Sequence, residues 1–226
     1  YDHALKAATG RDLAGLALDA AGLPPDEPHR RQLAALEMAV VPVTSGLGLI
    51  GGFAQSVAAI LNHIGCSAFV TEATDVAGLA EAVSRGPAAL FMSDDRDFVA
   101  LATQVRAAQV RAAIHNTPAT ARGFAAGLAR MAGNLRGREV LLLGCGAVGR
   151  AAADALLKRG ADLVLADRDR GCSAALHDAL LASGHPRERI SIDEPGGRQT
   201  AELIFDATNT ADHIEEQVIT DHTLVA

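Results

Sequence analysis

Lysine is almost missing from this chain: only Lys6 and Lys158 occur among 226 residues. Lys6 falls in a polar N-terminal stretch and Lys158 near the end of an Ala- and Leu-rich helix, so chemistry resting on an active-site lysine is hard to build. Cysteine is scarce too. Cys66, Cys145 and Cys172 are odd in number and lack metal-ligand spacing, which points to a reduced, cytoplasmic protein. The eight histidines are scattered, with no H-x-x-x-H and no companion cysteine pair, so no metal site is expected. No apolar run reaches membrane-spanning length, and no signal peptide is visible. Positive charge is in deficit as well. The net charge of −7 argues against nucleic acid or an anionic membrane surface as a partner. The chain opens on Tyr1 without Met and closes on Leu224-Val225-Ala226 in strand-like sequence, so further segments are expected beyond both ends.

What is present is organised around Arg138 to Arg170. Val140–Leu143 is an apolar run bounded by charges, the pattern of a strand buried on both faces. Gly144-Cys145-Gly146-Ala147-Val148-Gly149 follows, a G-x-G-x-x-G pattern, and then a helix to about Lys158. Gly160 fits that helix's C-cap, and Leu163–Ala166 makes a second strand ending in Asp167. Each glycine has its own reason. Gly144 permits the tight turn, Gly146 lets a pyrophosphate approach the backbone, and Gly149 lets helix and strand pack closely. The helix N-terminus, with Ala147 and Val148 in its first turn, offers unpaired N–H groups and a favourable dipole to the anion. Asp167 lies where an acid hydrogen-bonds the adenosine ribose, which favours NAD over NADP. Arg168 and Arg170 beside it soften that preference.

At 49% hydrophobic content the chain can bury a real core and has room for two domains. Residues 1–21 read as helix, with Thr9 or Asp12 as N-cap, and Gly22 to Pro28 as a breaker cluster. Strands are expected at Ala39–Val43, Ser67–Thr71 and Ala88–Met92, with helices at Phe53–His63 and Asp75–Ser84 between them. Pro42 marks a strand edge or end. This first half is therefore a small parallel α/β domain. Asp97–Ala112 reads as helix, Asn116-Thr117-Pro118 as a turn, and Thr120–Ala132 as a connecting helix. Helix Cys172–Ser183 and strands Ile190–Ile192, Leu203–Asp206 and His222–Ala226 complete the second half. The expected organisation is an N-terminal substrate domain over 1–117, a connecting helix over 118–136, and a Rossmann-type NAD-binding domain over 137–226.

Gly46-x-Gly48-x-x-Gly51 also satisfies the glycine pattern, and Glu72 lies near the right distance for it. Thr44 and Ser45 place two hydroxyls before that turn, which suits a small anion such as a substrate carboxylate more than a dinucleotide. A plain close helix–strand contact is the alternative. Asp94-Asp95 follows a buried strand, where open α/β sheets place ligands, and at most one of the two faces a cleft. A carboxylate there can hold a cationic amine; equally, either aspartate can cap the next helix. Thr74-Asp75 reads as a helix cap. Thr208 and Asn209, after the fourth cofactor-domain strand, lie where a nicotinamide ribose runs, or form an ordinary polar loop.

Four stretches taken together resemble the pyrrolysine biosynthesis dehydrogenase family. They are Val41-Pro42-Val43-Thr44-Ser45-Gly46 with its glycine-rich continuation, Thr74-Asp75-Val76-Ala77-Gly78, Phe91-Met92-Ser93-Asp94-Asp95, and the Gly144–Gly149 fingerprint. The resemblance runs from about Thr9 to the C-terminus. It implies NAD-dependent oxidation of the side-chain amine of L-lysine-Nε-(3R)-methyl-D-ornithine, with loss of ammonia and ring closure to L-pyrrolysine. It further implies Ser45, Gly46, Ser93 and Asp94 as substrate contacts, with Asp94 as the catalytic candidate. The family's N-terminal helix and the end of its cofactor sheet would lie beyond Tyr1 and Ala226. Rival readings are an amino-acid or folate-pathway dehydrogenase of the same plan, or an NAD(H)-sensing module without turnover. The expected partner is a small lysine- or ornithine-derived molecule; a homodimer is the base-rate expectation for the assembly.

Overall fold

The computed structural model describes residues 2–45, 51–93, 98–103, 113–193, 200–209 and 219–226. These fall into two compact units, one of Leu13–Asn116 and one of Tyr1–Asp12 with Thr117–Ala226.

In the first unit, helices α2 (Leu13–Ala21) and α3 (Glu27–Ala34) precede strand β1 (Glu37–Pro42). Then follow α4 (Phe53–His63), β2 (Ser67–Val70), α5 (Asp75–Arg85), β3 (Ala89–Ser93), β4 (Phe98–Ala102) and β5 (Ala113–His115). The strands form one sheet in the order β2-β1-β3-β4-β5. β1 runs parallel to β2 and to β3, whereas β4 and β5 are antiparallel additions. Strand periodicity divides β1 between two faces. Met38 and Val40 pack with Ala54, Ala58 and Leu61 of α4, while Ala39 and Val41 pack with Ala82 of α5 and Leu90 of β3. Both faces are covered, so β1 reads as continuous apolar sequence. Pro42 ends this central strand, where its missing N–H removes no ladder bond from the interior.

Three expectations are corrected here. The predicted helix over Asp97–Ala112 is replaced, over its described part, by β4, whose Phe91↔Ala100 and Leu90↔Leu101 pairing with β3 overrides the helix-favouring Ala and Leu content. The single helix over residues 1–21 is broken: α1 (Asp2–Thr9) ends at Gly10, which has φ +69, a conformation that L side chains resist. Thr9 closes α1 by donating to the Leu5 carbonyl and accepting from Arg11 N–H, so it caps no following helix. The breaker cluster ends in a helix start, since Asp26 Oδ1 accepts from His29 N–H at 3.1 Å and Pro28 sits in the first turn of α3.

The second unit holds α1, α6 (Asn116–Met131), β6 (Glu139–Leu143), α7 (Ala147–Lys158), β7 (Asp162–Ala166), α8 (Arg170–Ala182), β8 (Ile190–Ile192), β9 (Leu203–Asp206) and β10 (Leu224–Val225). The Asn116-Thr117-Pro118 turn is in fact the first turn of α6, which tolerates a proline lacking an N–H. Five parallel strands run in the order β10-β9-β6-β7-β8. Val140, Leu142, Leu163, Leu165, Leu203 and Phe205 face the helical layer, against Ala152 and Leu156 of α7 and Leu176 of α8. Leu141, Val164 and Ile204 point to the other face. Read from β8, the order is third, second, first, fourth, fifth, so the order in which strands are added reverses between β6 and β9. Ligands of open α/β sheets bind outside the strand C-termini at such a reversal.

Candidate functional site

The reversal between β6 and β9 is occupied by the glycine fingerprint, and its three glycines differ. Gly144 has φ +87, and a Cβ on it would stand 2.9 Å from the Ala207 carbonyl oxygen and 3.2 Å from Thr208 Cγ2. A Cβ on Gly149 would lie 1.9 Å from the Gly144 carbonyl oxygen. Both glycines are therefore demanded by the protein's own backbone. Gly146 is not: it has φ −72, and a Cβ there would meet nothing within 4 Å. The internal packing does not require Gly146, and the open space there would admit a pyrophosphate to this backbone. Gly146 also stands at the N-cap of the twelve-residue helix α7 without a side-chain cap bond, with Ala147 and Val148 opening the first turn. The residues present fit a dinucleotide.

Asp167, just beyond β7, ties this loop to its neighbour. Its Oδ2 accepts from Cys145 N–H at 2.7 Å and its Oδ1 from Asp169 N–H at 2.8 Å. Asp169 in turn caps α8 by accepting from Gly171 N–H. Arg168, between them, is exposed. Beneath the loop, buried Cys145 approaches Ser173 Oγ at 3.6 Å, and burial pushes its thiol above the ordinary range. The side chain is a packing element, held as a neutral thiol. Across the reversal, Asp206 Oδ1 accepts from both Thr208 N–H (2.9 Å) and Thr208 Oγ1 (2.8 Å), fixing the turn that carries Thr208 and exposed Asn209. Asp206 was missed in the sequence, although Asp-x-Thr after a strand is a readable turn signal.

The first unit has its own reversal, between β1 and β3, since the order β2-β1-β3 places successive strands on opposite sides of β1. Ser45 follows β1 and is exposed, and Ser93 ends β3, where it pairs with Pro42. Two of the four candidate substrate contacts thus sit at neighbouring strand ends. Gly46 and Asp94 lie outside the described residues, as does most of the second glycine pattern. Of the two hydroxyls expected to face an anion, that of Thr44 is taken up by Asp75. Thr44 gives its N–H to Asp75 Oδ1 (2.9 Å) and its Oγ1 hydrogen to Asp75 Oδ2 (2.8 Å), so this hydroxyl is already engaged. The expected cap is corrected with it: Thr74 occupies the N-cap position of α5 without a side-chain cap bond, and Asp75 reaches across to the β1 loop.

A reversed parallel sheet with a glycine fingerprint at the reversal defines a Rossmann-type dinucleotide-binding fold, the class of the NAD(P)-dependent oxidoreductases. Residues 1–109 match the family described as pyrrolysine biosynthesis protein PylD, N-terminal domain. The pyrrolysine synthase of Methanosarcina acetivorans is 31% identical over 225 residues, spanning 100% of this chain and 78% of that protein. That of Methanosarcina barkeri is 29% identical, spanning 100% and 77%. The chain belongs to the pyrrolysine synthase family. Among solved structures, quinate dehydrogenase from Corynebacterium glutamicum in complex with NAD aligns with a TM-score of 0.45 and 20% identity, over 76% of this chain and 70% of that one. The family assignment rests on the sequence relatives alone.

If Asp167 reads the adenosine ribose, its carboxylate repels a 2′-phosphate. Asp167→Ala is then expected to raise the NADP-to-NAD ratio of kcat/KM by about tenfold or more, the factor that roughly 1.4 kcal/mol of relieved repulsion produces. Absolute NAD affinity should fall as well, because the loop bond from Cys145 N–H is lost. Unchanged selectivity in paired titrations with the two cofactors would remove the ribose assignment.

Proposed function

We propose that this protein is an NAD-dependent amine dehydrogenase that completes L-pyrrolysine from L-lysine-Nε-(3R)-methyl-D-ornithine. The observation that carries the reading is kinship with pyrrolysine synthases over the whole chain, both strand-end loops included. In this reading the expected division is 1–117 for the substrate half, 118–136 for the connection and 137–226 for the cofactor half, with residues 1–12 grouped by the fold in the unit of the cofactor half.

Bound NAD supplies the hydride acceptor. Gly144, Gly146, Ala147, Val148 and Gly149 hold its pyrophosphate on the α7 N-terminus, Asp167 with Arg168 its adenosine ribose, and Thr208 with Asn209 its nicotinamide end. Ser45, Gly46 and Ser93 orient the substrate, and Asp94 pairs with its side-chain amine. An ammonium has no lone pair to form a carbon–nitrogen double bond, so its proton must leave before hydride departs from the adjacent carbon. Water then adds to the imine and ammonia leaves, giving an aldehyde. Condensation with the α-amine expels water and closes the pyrroline ring. Two electrons leave the substrate as one hydride, and one nitrogen leaves as ammonia. None of these steps asks for a lysine, in keeping with a chain that holds only Lys6 and Lys158.

The reading is tested by substrate carrying heavy nitrogen in the ornithine side-chain amine. Released ammonia is expected to carry the label while the ring product does not. Label retained in the ring would mean that a different amine is oxidised.

A further inference from the structure

Asp75 is the one residue other than glycine with a positive φ, +52, among the described residues, and it stands at the first position of α5. Such a conformation in a residue with a Cβ persists only where the surroundings over-determine it. They do so here. Glu81 accepts from Glu72 N–H and Ala73 N–H, each with an oxygen at 3.0 Å, and Thr71 Oγ1 donates to the Ala73 carbonyl at 2.8 Å. A Cβ on Gly78 would lie 2.4 Å from the Ala73 carbonyl oxygen and 2.8 Å from Val41 Cγ1, so α5 is pressed against the end of β1. The strained backbone aims the Asp75 carboxylate at Thr44, whose N–H and hydroxyl both bond to it. Thr44 immediately precedes Ser45, and the pair opens the loop at the β1/β3 reversal. The same geometry rules out simple capping, since the carboxylate leaves its own helix to hold a segment 31 residues away.

We infer that Asp75 is a positioning residue for the substrate loop: it fixes Thr44 by two charge-assisted bonds and thereby sets where Ser45 stands. This rests on the reading that the Ser45 loop holds the substrate. Two positions of the Thr74-Asp75-Val76-Ala77-Gly78 stretch thus have a physical reason, with Gly78 admitting the close approach and Asp75 using it. Asp75 touches no reacting atom in this role. Its effect falls on substrate binding and leaves the dinucleotide site alone.

The test uses Asp75→Gly, Asp75→Asn and Thr44→Val. Glycine accepts the positive φ without strain but makes neither bond, so Asp75→Gly is expected to keep the wild-type Tm or exceed it. It should nonetheless raise KM for the amine substrate by about 10- to 100-fold, with KM for NAD within about twofold of wild type. Asparagine tolerates this backbone and keeps an acceptor for Thr44 N–H, so Asp75→Asn should restore most of the loss. Thr44→Val should raise the substrate KM on its own and add little in the Asp75→Gly background. Amide exchange reads the clamp without any turnover: Thr44 N–H should lose protection in Asp75→Gly while residues 139–166 keep theirs. An unchanged substrate KM in Asp75→Gly, or both KM values rising together with a falling Tm, would overturn the inference. So would undiminished Thr44 protection. Should wild-type protein fail to turn over the lysine–ornithine substrate, the reaction reading falls, and the exchange result still decides the clamp.

Discussion

Gly149→Ala is expected to lower Tm by roughly 10 °C and to abolish dinucleotide binding with it. A Cβ at Gly149 would sit 1.9 Å from a backbone carbonyl oxygen, and neither α7 nor the β6 turn can yield without unseating the core built on Leu142 and Leu156. Overpacking that backbone must absorb costs about 3 kcal/mol or more, a large share of the 5–15 kcal/mol that holds a domain folded. Gly146→Ala, three residues earlier in the same motif, should behave oppositely. Its φ of −72 suits any residue and its Cβ has open space, so Tm should stay within a degree or two (roughly 0.5 kcal/mol) of wild type. NADH affinity should nevertheless fall by at least about tenfold, because the added methyl takes the room the pyrophosphate needs. Thermal melts and NADH fluorescence titrations on the two variants make the comparison. Equal destabilisation of both, or full NADH affinity in Gly146→Ala, would remove the pyrophosphate from this loop.

Asp94→Ala should affect the amine substrate and leave the dinucleotide alone. Truncating the acidic member of a charge pair with a bound amine costs about 2–5 kcal/mol, which is roughly a 30- to several-thousand-fold loss in kcat/KM for the amine. NADH binding should be unchanged, and Asp94→Asn should fall between, since it keeps an acceptor but not the charge. Steady-state kinetics with NADH titration beside them give both readouts. Wild-type turnover in Asp94→Ala would assign the amine to another group.

The fingerprint was legible in the sequence because its logic is local. Strand, glycines, helix, strand and Asp167 lie within some thirty residues, and the sterics of the adjoining backbone require Gly144 and Gly149. The core of β6 was legible for the same reason, as a strand buried on both faces needs apolar residues on each. β4 was not, because Phe98-Val99-Ala100-Leu101-Ala102 carries a composition that suits helix or strand, and only its pairing with β3 decides. Asp75 was hidden more deeply. Thr-Asp before an apolar-periodic run is the sequence pattern of a cap, and nothing local shows that the backbone turns to positive φ and sends the carboxylate to Thr44. Thr44 was over-read in consequence, since a hydroxyl in a candidate loop looks available until its long-range partner is known. Fold class and the glycine loop came from neighbours in sequence; the hold of Asp75 on Thr44 came from neighbours in space.

The most direct measurement of the central claim is a single reaction containing the protein, NAD and L-lysine-Nε-(3R)-methyl-D-ornithine. It is followed by nicotinamide absorbance and by mass analysis of the amino-acid product. The expected result is one NADH and one ammonia for each pyrroline ring formed, with no NADH when the substrate is withheld. Tight NADH binding with neither turnover nor ring product would contradict it, leaving a dinucleotide-binding protein whose chemistry lies elsewhere.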